Sequence, residues 1–204
     1  MTSLILVHGG LWDDMTAERF WVRPGVVEGL TERGRHVFAP DRPYRAPNWS
    51  IEAQALADEL PAAESVAVLA GSNGCSAAIR FALAEPGRVA ALILAWPVAA
   101  GDPEVDDVER RNLTELGATA SDIDDLLGGE TQRGVTDAEL ASLRVRTAII
   151  PSTVDGRVHP HRTADALCGL IPGAVRLPAC PETPRPEFAA HRTEFLDAVT
   201  GFLG

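Results

Sequence analysis

The chain has 204 residues, 46% of them hydrophobic and 23% charged, a length and balance that suit one folded domain with a substantial core. A formal net charge of −11 argues against a nucleic-acid partner, because phosphate binding needs clustered Lys and Arg. The opening residues lack the basic segment and cleavage site of a signal peptide, and no apolar run approaches the roughly 20 residues of a membrane span.

Short apolar runs alternate with segments of helical period along the chain. Residues 4–7 read as a buried strand ending at His8-Gly9-Gly10. A helix over 24–33 follows, with Pro24 near its start and Gly34 past its end. A second strand covers 36–39. A helix over 51–60 is expected to be capped by Ser50 and stopped by Pro61. Residues 65–69 form a third strand and 74–84 a third helix. Strands over 89–94, 147–150 and 174–177 complete the set, with helices over 160–170 and 187–203. Near-continuous apolar strands separated by helices predict an α/β fold: a mostly parallel sheet of about six strands covered on both faces. Ligand sites in such folds lie at the strand C-terminal ends.

The rhythm breaks over 97–144, where short helices at 105–116 and 121–127 carry many acidic residues. An insertion at the strand-end edge is either a lid over a site or a solvated surface excursion, and its position favours a small helical lid within a single domain spanning 1–204. Cys75, Cys168 and Cys180 include no CxxC pair, so neither a disulfide framework nor a cysteine-rich zinc site follows. A reducing cytoplasm is the expected compartment.

The strongest local signal is Ala70-Gly71-Ser72-Asn73-Gly74. A strand runs into Ser72 and a helix runs out, with small residues on either side. The helix N-terminus aims backbone N–H groups at the place where an oxyanion would form. A Gly-rich turn with Ser72 as a plain helix cap is the bland alternative. A phosphate loop is excluded, since the Lys-Ser/Thr ending is missing.

The segment 69–75, followed by Glu85-Pro86-Gly87-Arg88-Val89 and an apolar strand, resembles the nucleophile elbow, helix and next strand of the α/β-hydrolase superfamily. Ala70 stands where that pattern usually has glycine. The resemblance implies an oxyanion hole after the first strand, from the backbone N–H of Gly10 or Leu11 together with that of Asn73. Trp12 is expected to line the pocket, and His8 to brace the turn rather than act as a base.

Residues 151–160 resemble the family's acid segment, which places Asp155 in the role of orienting a catalytic histidine; Asp102 is the fallback. The family's histidine belongs to the loop after the last strand, here 178–186, which contains none. His191 has the expected chain order but lies several residues late. Three alternatives stay open: His191 as base, His159 or His161 reaching the site from beside the acid segment, or no base at all.

The resemblance thus implies a serine hydrolase of a small ester, thioester or related acyl compound, acting through an acyl-enzyme at Ser72, with Asp155 and His191 completing the triad. No metal or organic cofactor is implied, and the partner is a small-molecule substrate. The missing loop histidine keeps two rivals in play: a non-hydrolytic cyclase, lyase or isomerase, and a degenerate small-molecule binding protein. Oligomeric state is not legible.

Overall fold

A computed structural model describes residues 3–60 and 65–204. Residues 1 and 2 of the N-terminal segment, and the helix stop assigned to Pro61, lie outside the described residues. The strands are β1 (Ser3–Val7), β2 (Val37–Phe38), β3 (Val66–Gly71), β4 (Val89–Ala95), β5 (Arg146–Ile150) and β6 (Val175–Arg176). They form one six-stranded sheet in the order β2-β1-β3-β4-β5-β6, parallel at every pairing.

Burial follows from the period of a strand, in which successive side chains point to opposite faces. Ile5, Val7, Val68, Ala70, Leu92, Leu94 and Ile149 belong to one core. Their neighbours Leu4, Leu6, Ala67, Leu69, Ile93, Ala148 and Ile150 belong to the other. Central strands buried on both sides therefore read as continuous apolar runs. The edge strands β2 and β6 are two residues each and partly or fully exposed, and such short edges limit pairing with another chain.

The first core is covered by α2 (Trp49–Asp58), α3 (Gly74–Ala84) and α7 (His161–Leu170), together with α4 (Pro103–Glu115), α5 (Ala120–Leu127) and α6 (Asp137–Ser142) from the excursion over 97–144. The second is covered by α1 (Val26–Glu32) and α8 (Phe188–Leu203). It also holds an aromatic cluster in which Trp96 stacks on Phe195 at 5.5 Å and meets Phe188 edge-on.

The expected alternation of elements is present, with small shifts of boundary. Asn48, not Ser50, caps α2, its side chain accepting from the Ile51 amide. A single π-helical turn over Glu18–Val22 and α6 are additions. The turn buries Phe20 and Trp21, whose apolar contacts extend too briefly in sequence to show a helical period. No helix among the described residues is long and apolar enough to cross a membrane.

Candidate active site

The parallel sheet sends the loops after β1, β3, β4, β5 and β6 to one edge. There Ser72 occupies the tip of the turn from β3 into α3 with φ +54°. A left-handed backbone costs a residue with a Cβ on the order of 1–2 kcal/mol, so its surroundings must impose it. The Ser72 amide donates to the Ala95 carbonyl at 2.9 Å. A Cβ on Gly74 would lie 2.5 Å from the His8 carbonyl oxygen, and one on Gly71 would lie 2.6 Å from the Phe20 ring. Both glycines are thus demanded by close approach. Ala70 is a buried residue within β3, paired with Val7 and Leu94, where a methyl group is accommodated.

Ser72 Oγ lies 2.9 Å from His159 Nε2, and His159 Nδ1 lies 2.8 Å from Glu182 Oε1. An ionised carboxylate only accepts, so Nδ1 carries the proton and Nε2 accepts from the serine hydroxyl. Burial works against the charge on Glu182. The hydrogen bond and charge of His159, a hydrogen bond from Ser152 and the charge of Arg185 outweigh it and hold the carboxyl below its usual range. Arg185 Nε approaches the second carboxylate oxygen at 2.8 Å.

The structure does not bring His191 or Asp155 to Ser72. His191 is on α8, 44% exposed, and pairs with Glu194 one turn along. The proline-rich loop delivers Glu182 to the strand ends before α8 begins, and α8 then packs on the second core. Asp155 is exposed and accepts from the His161 amide at 2.8 Å, which satisfies the first N–H of α7. His161 itself turns its ring to the Ser152 carbonyl. Asp102 caps α4, and the Val105 amide is the chief group holding its pKa down against burial, with help from Arg157 and the Glu104 amide. Of the histidine alternatives, His159 is the one at hydrogen-bond distance from Ser72. Sequence reasoning missed Glu182. Its signal was an acid in the loop where a histidine was sought, with a spare histidine at the end of the supposed acid segment.

Gly10, Leu11, Trp12 and Asn73 line the cavity of about 610 Å³ that opens over Ser72 and His159. Trp12 holds φ +59°, donates from Nε1 to the Ala46 carbonyl at 2.7 Å and carries Arg45 over its ring. Glu109, Asn112 and Glu115 of α4 also line the cavity. His8 is a brace: Nδ1 donates to the Gly9 carbonyl and Nε2 accepts from the Arg42 amide. Burial, then the Arg42 charge, lower its pKa to about 4, which keeps it neutral. The Cys75 thiol is fully buried and burial raises its pKa far above the ordinary range, which keeps it an inert thiol.

A parallel six-stranded sheet with a strained serine turn after a central strand is the α/β-hydrolase fold, and the chain adopts it. No sequence-family model matches the chain, and a comparison with curated proteins also finds no match. Solved structures do match. An α/β-hydrolase enzyme from a Moroccan lagoon-sediment metagenome is similar at TM-score 0.70 and 22% identity, over 99% of this chain and 90% of that one. A thermophilic esterase from Thermogutta terrifontis gives TM-score 0.71 at 16% identity, over 100% and 89%. Carboxylesterase CesB from Bacillus subtilis gives 0.66 at 17%, over 98% and 84%.

Proposed function

We propose that the protein is a serine hydrolase of small esters, thioesters or related acyl compounds. The observation that carries this is the hydrogen-bonded chain Ser72–His159–Glu182 at the mouth of a cavity. A serine hydroxyl is a weak nucleophile until a base takes its proton, and the base works only in the right tautomer. Here Ser72 attacks the acyl carbon as its proton passes to His159 Nε2, and Glu182 steadies the imidazolium. The N–H groups of Asn73 and of Leu11 or Gly10 receive the oxyanion. His159 then protonates the leaving alkoxide or thiolate, and water hydrolyses the acyl-enzyme by the reverse proton path. The excursion over 97–144 serves as the lid, with α4 over the acyl pocket. No cofactor enters this scheme.

The rival non-hydrolytic and binding readings drew their weight from the lack of a histidine in the last loop, and His159 supplies one from another loop. The test is intact-mass analysis after incubation with a fluorophosphonate, with peptide mapping. One adduct on Ser72, absent in Ser72→Ala and strongly slowed in His159→Ala, is the expected result. No adduct would overturn the proposal and leave the rivals standing.

A further inference from the structure

One buried arginine grips the oxyanion loop from behind. Arg42, in the loop after β2, places Nη1 3.0, 3.1 and 2.9 Å from the carbonyl oxygens of His8, Gly9 and Gly10. Its Nε and Nη2 are held by the two carboxylate oxygens of Glu52 on α2 at 2.6 and 2.8 Å. The two side chains are 7% and 3% exposed, and the guanidinium lies 5.6 Å from the centre of the Trp49 ring.

Three successive carbonyl dipoles turned to one point repel each other, so a free loop would not keep this arrangement; a cation at their focus does. In a trans peptide the C=O and the following N–H point in opposite directions. Drawing the Gly9 and Gly10 carbonyls toward Arg42 therefore turns the Gly10 and Leu11 N–H groups away from it. Gly10 and Leu11 line the cavity together with Ser72. Gly10 takes φ +91°, a conformation natural only to glycine. Stability alone does not call for such a pair, since a buried ion pair can often be replaced by apolar side chains at no loss.

We propose that Arg42 is a positioning residue of the oxyanion hole: it fixes the peptide planes 9–10 and 10–11 so that their N–H groups face the acyl oxygen, with Glu52 holding the guanidinium in place. This rests on the hydrolase reading of Ser72.

The test measures fluorophosphonate labelling of the full-length protein over a range of reagent concentration, separating the limiting rate from the half-saturating concentration. The proteins are wild type, Arg42→Lys, Glu52→Gln and the double variant Arg42→Met/Glu52→Leu, which leaves no unpaired buried carboxylate. Near-ultraviolet circular dichroism reports folding. The expected result is a limiting rate about 100-fold lower in the double variant, the scale of one lost oxyanion donor. Arg42→Lys falls between it and wild type, and the half-saturating concentration stays within about threefold throughout. Folded variants that label at the wild-type limiting rate would overturn the proposal. So would a change confined to the half-saturating concentration, or failure of all three variants to fold, which would make the pair a stability element. Absence of labelling in the wild type would instead bring down the hydrolase reading itself.

Discussion

His159 and Glu182 come from different loops, after β5 and after β6, and meet with Nδ1 2.8 Å from Oε1. The other ring nitrogen faces Ser72 Oγ at 2.9 Å, so one imidazole bridges three strand ends. Removing the ring should cost far more than weakening its support. With Ser72 labelling or ester hydrolysis as readout, His159→Ala is expected to lose on the order of 10⁶-fold, and Glu182→Gln on the order of 10⁴-fold. His191→Ala should stay within about twofold of wild type, as its half-exposed ring pairs with an exposed glutamate away from Ser72. A large loss in His191→Ala with little in His159→Ala would reverse the assignment.

The elbow makes a sharper demand on Gly74. Its α-carbon faces the His8 carbonyl so closely that a methyl group would sit 2.5 Å from the oxygen. The obstacle is backbone, which cannot swing aside as a side chain can. Gly74→Ala is therefore expected to destabilise the protein by about 1–3 kcal/mol, the usual range for overpacking. Relief requires the β1 loop to move from α3, and that separates Leu11 and Asn73, the proposed oxyanion donors. Labelling of Ser72 should then slow by about 100-fold, the effect of displacement by roughly 1 Å. Urea denaturation and labelling kinetics check the two parts, and unchanged stability would show that the loop adjusts freely.

The fold was legible because its signals are local. Strands such as Leu4 to Val7 and Val66 to Leu69 are buried on both faces and appear as unbroken apolar runs. The serine turn was legible because Gly71 and Gly74 answer to contacts only a few ångströms away. The partners hydrogen-bonded to Ser72 were not, because Ser72, His159 and Glu182 lie on separate loops and only the strand order makes them neighbours. The resemblance of 151–160 to the family's acid segment pointed to Asp155, and chain order pointed to His191. Asp155 instead satisfies the α7 amide of His161, a role that a turn aspartate before a helix fills as readily. The loop over 178–186 had no histidine but did hold Glu182, an acid whose function depends on a histidine elsewhere in the chain.

His8 gives the protein a specific acid sensitivity. Its pKa is about 4 in the fold against 6.5 ordinarily, so below the ordinary value the unfolded chain binds the proton and the folded one resists it. The stability this group contributes is full above about pH 6.5 and is lost as pH falls toward 4, by about 3 kcal/mol in all. Urea denaturation of wild type between pH 7 and pH 4 should show this slope, and His8→Asn should flatten it. Glu182 and Asp102, held below the usual carboxylate range, add acid losses of their own at lower pH. An equal slope in His8→Asn across the upper window would assign the sensitivity elsewhere.

Arg133 ties the helical excursion to the Ser72 turn. Its side chain is 1% exposed, with Nη2 2.9 Å from Asp106 on α4 and Nη1 3.3 Å from the Asn73 side chain. Asp106 is itself 20% exposed, so water can partly take its place. Removing one partner of a buried pair strands a charge, ordinarily at 3–5 kcal/mol, and here about 2 kcal/mol is expected for Asp106→Ala after that solvent access. The double variant Arg133→Met/Asp106→Ala removes the stranded charge together with its partner. It should recover at least about half of the loss, a coupling that urea denaturation of the two singles and the double would measure. Equal instability of the double and Asp106→Ala would mean that the packing and hydrogen bonds of Arg133, rather than its pairing with Asp106, hold α4 over the site.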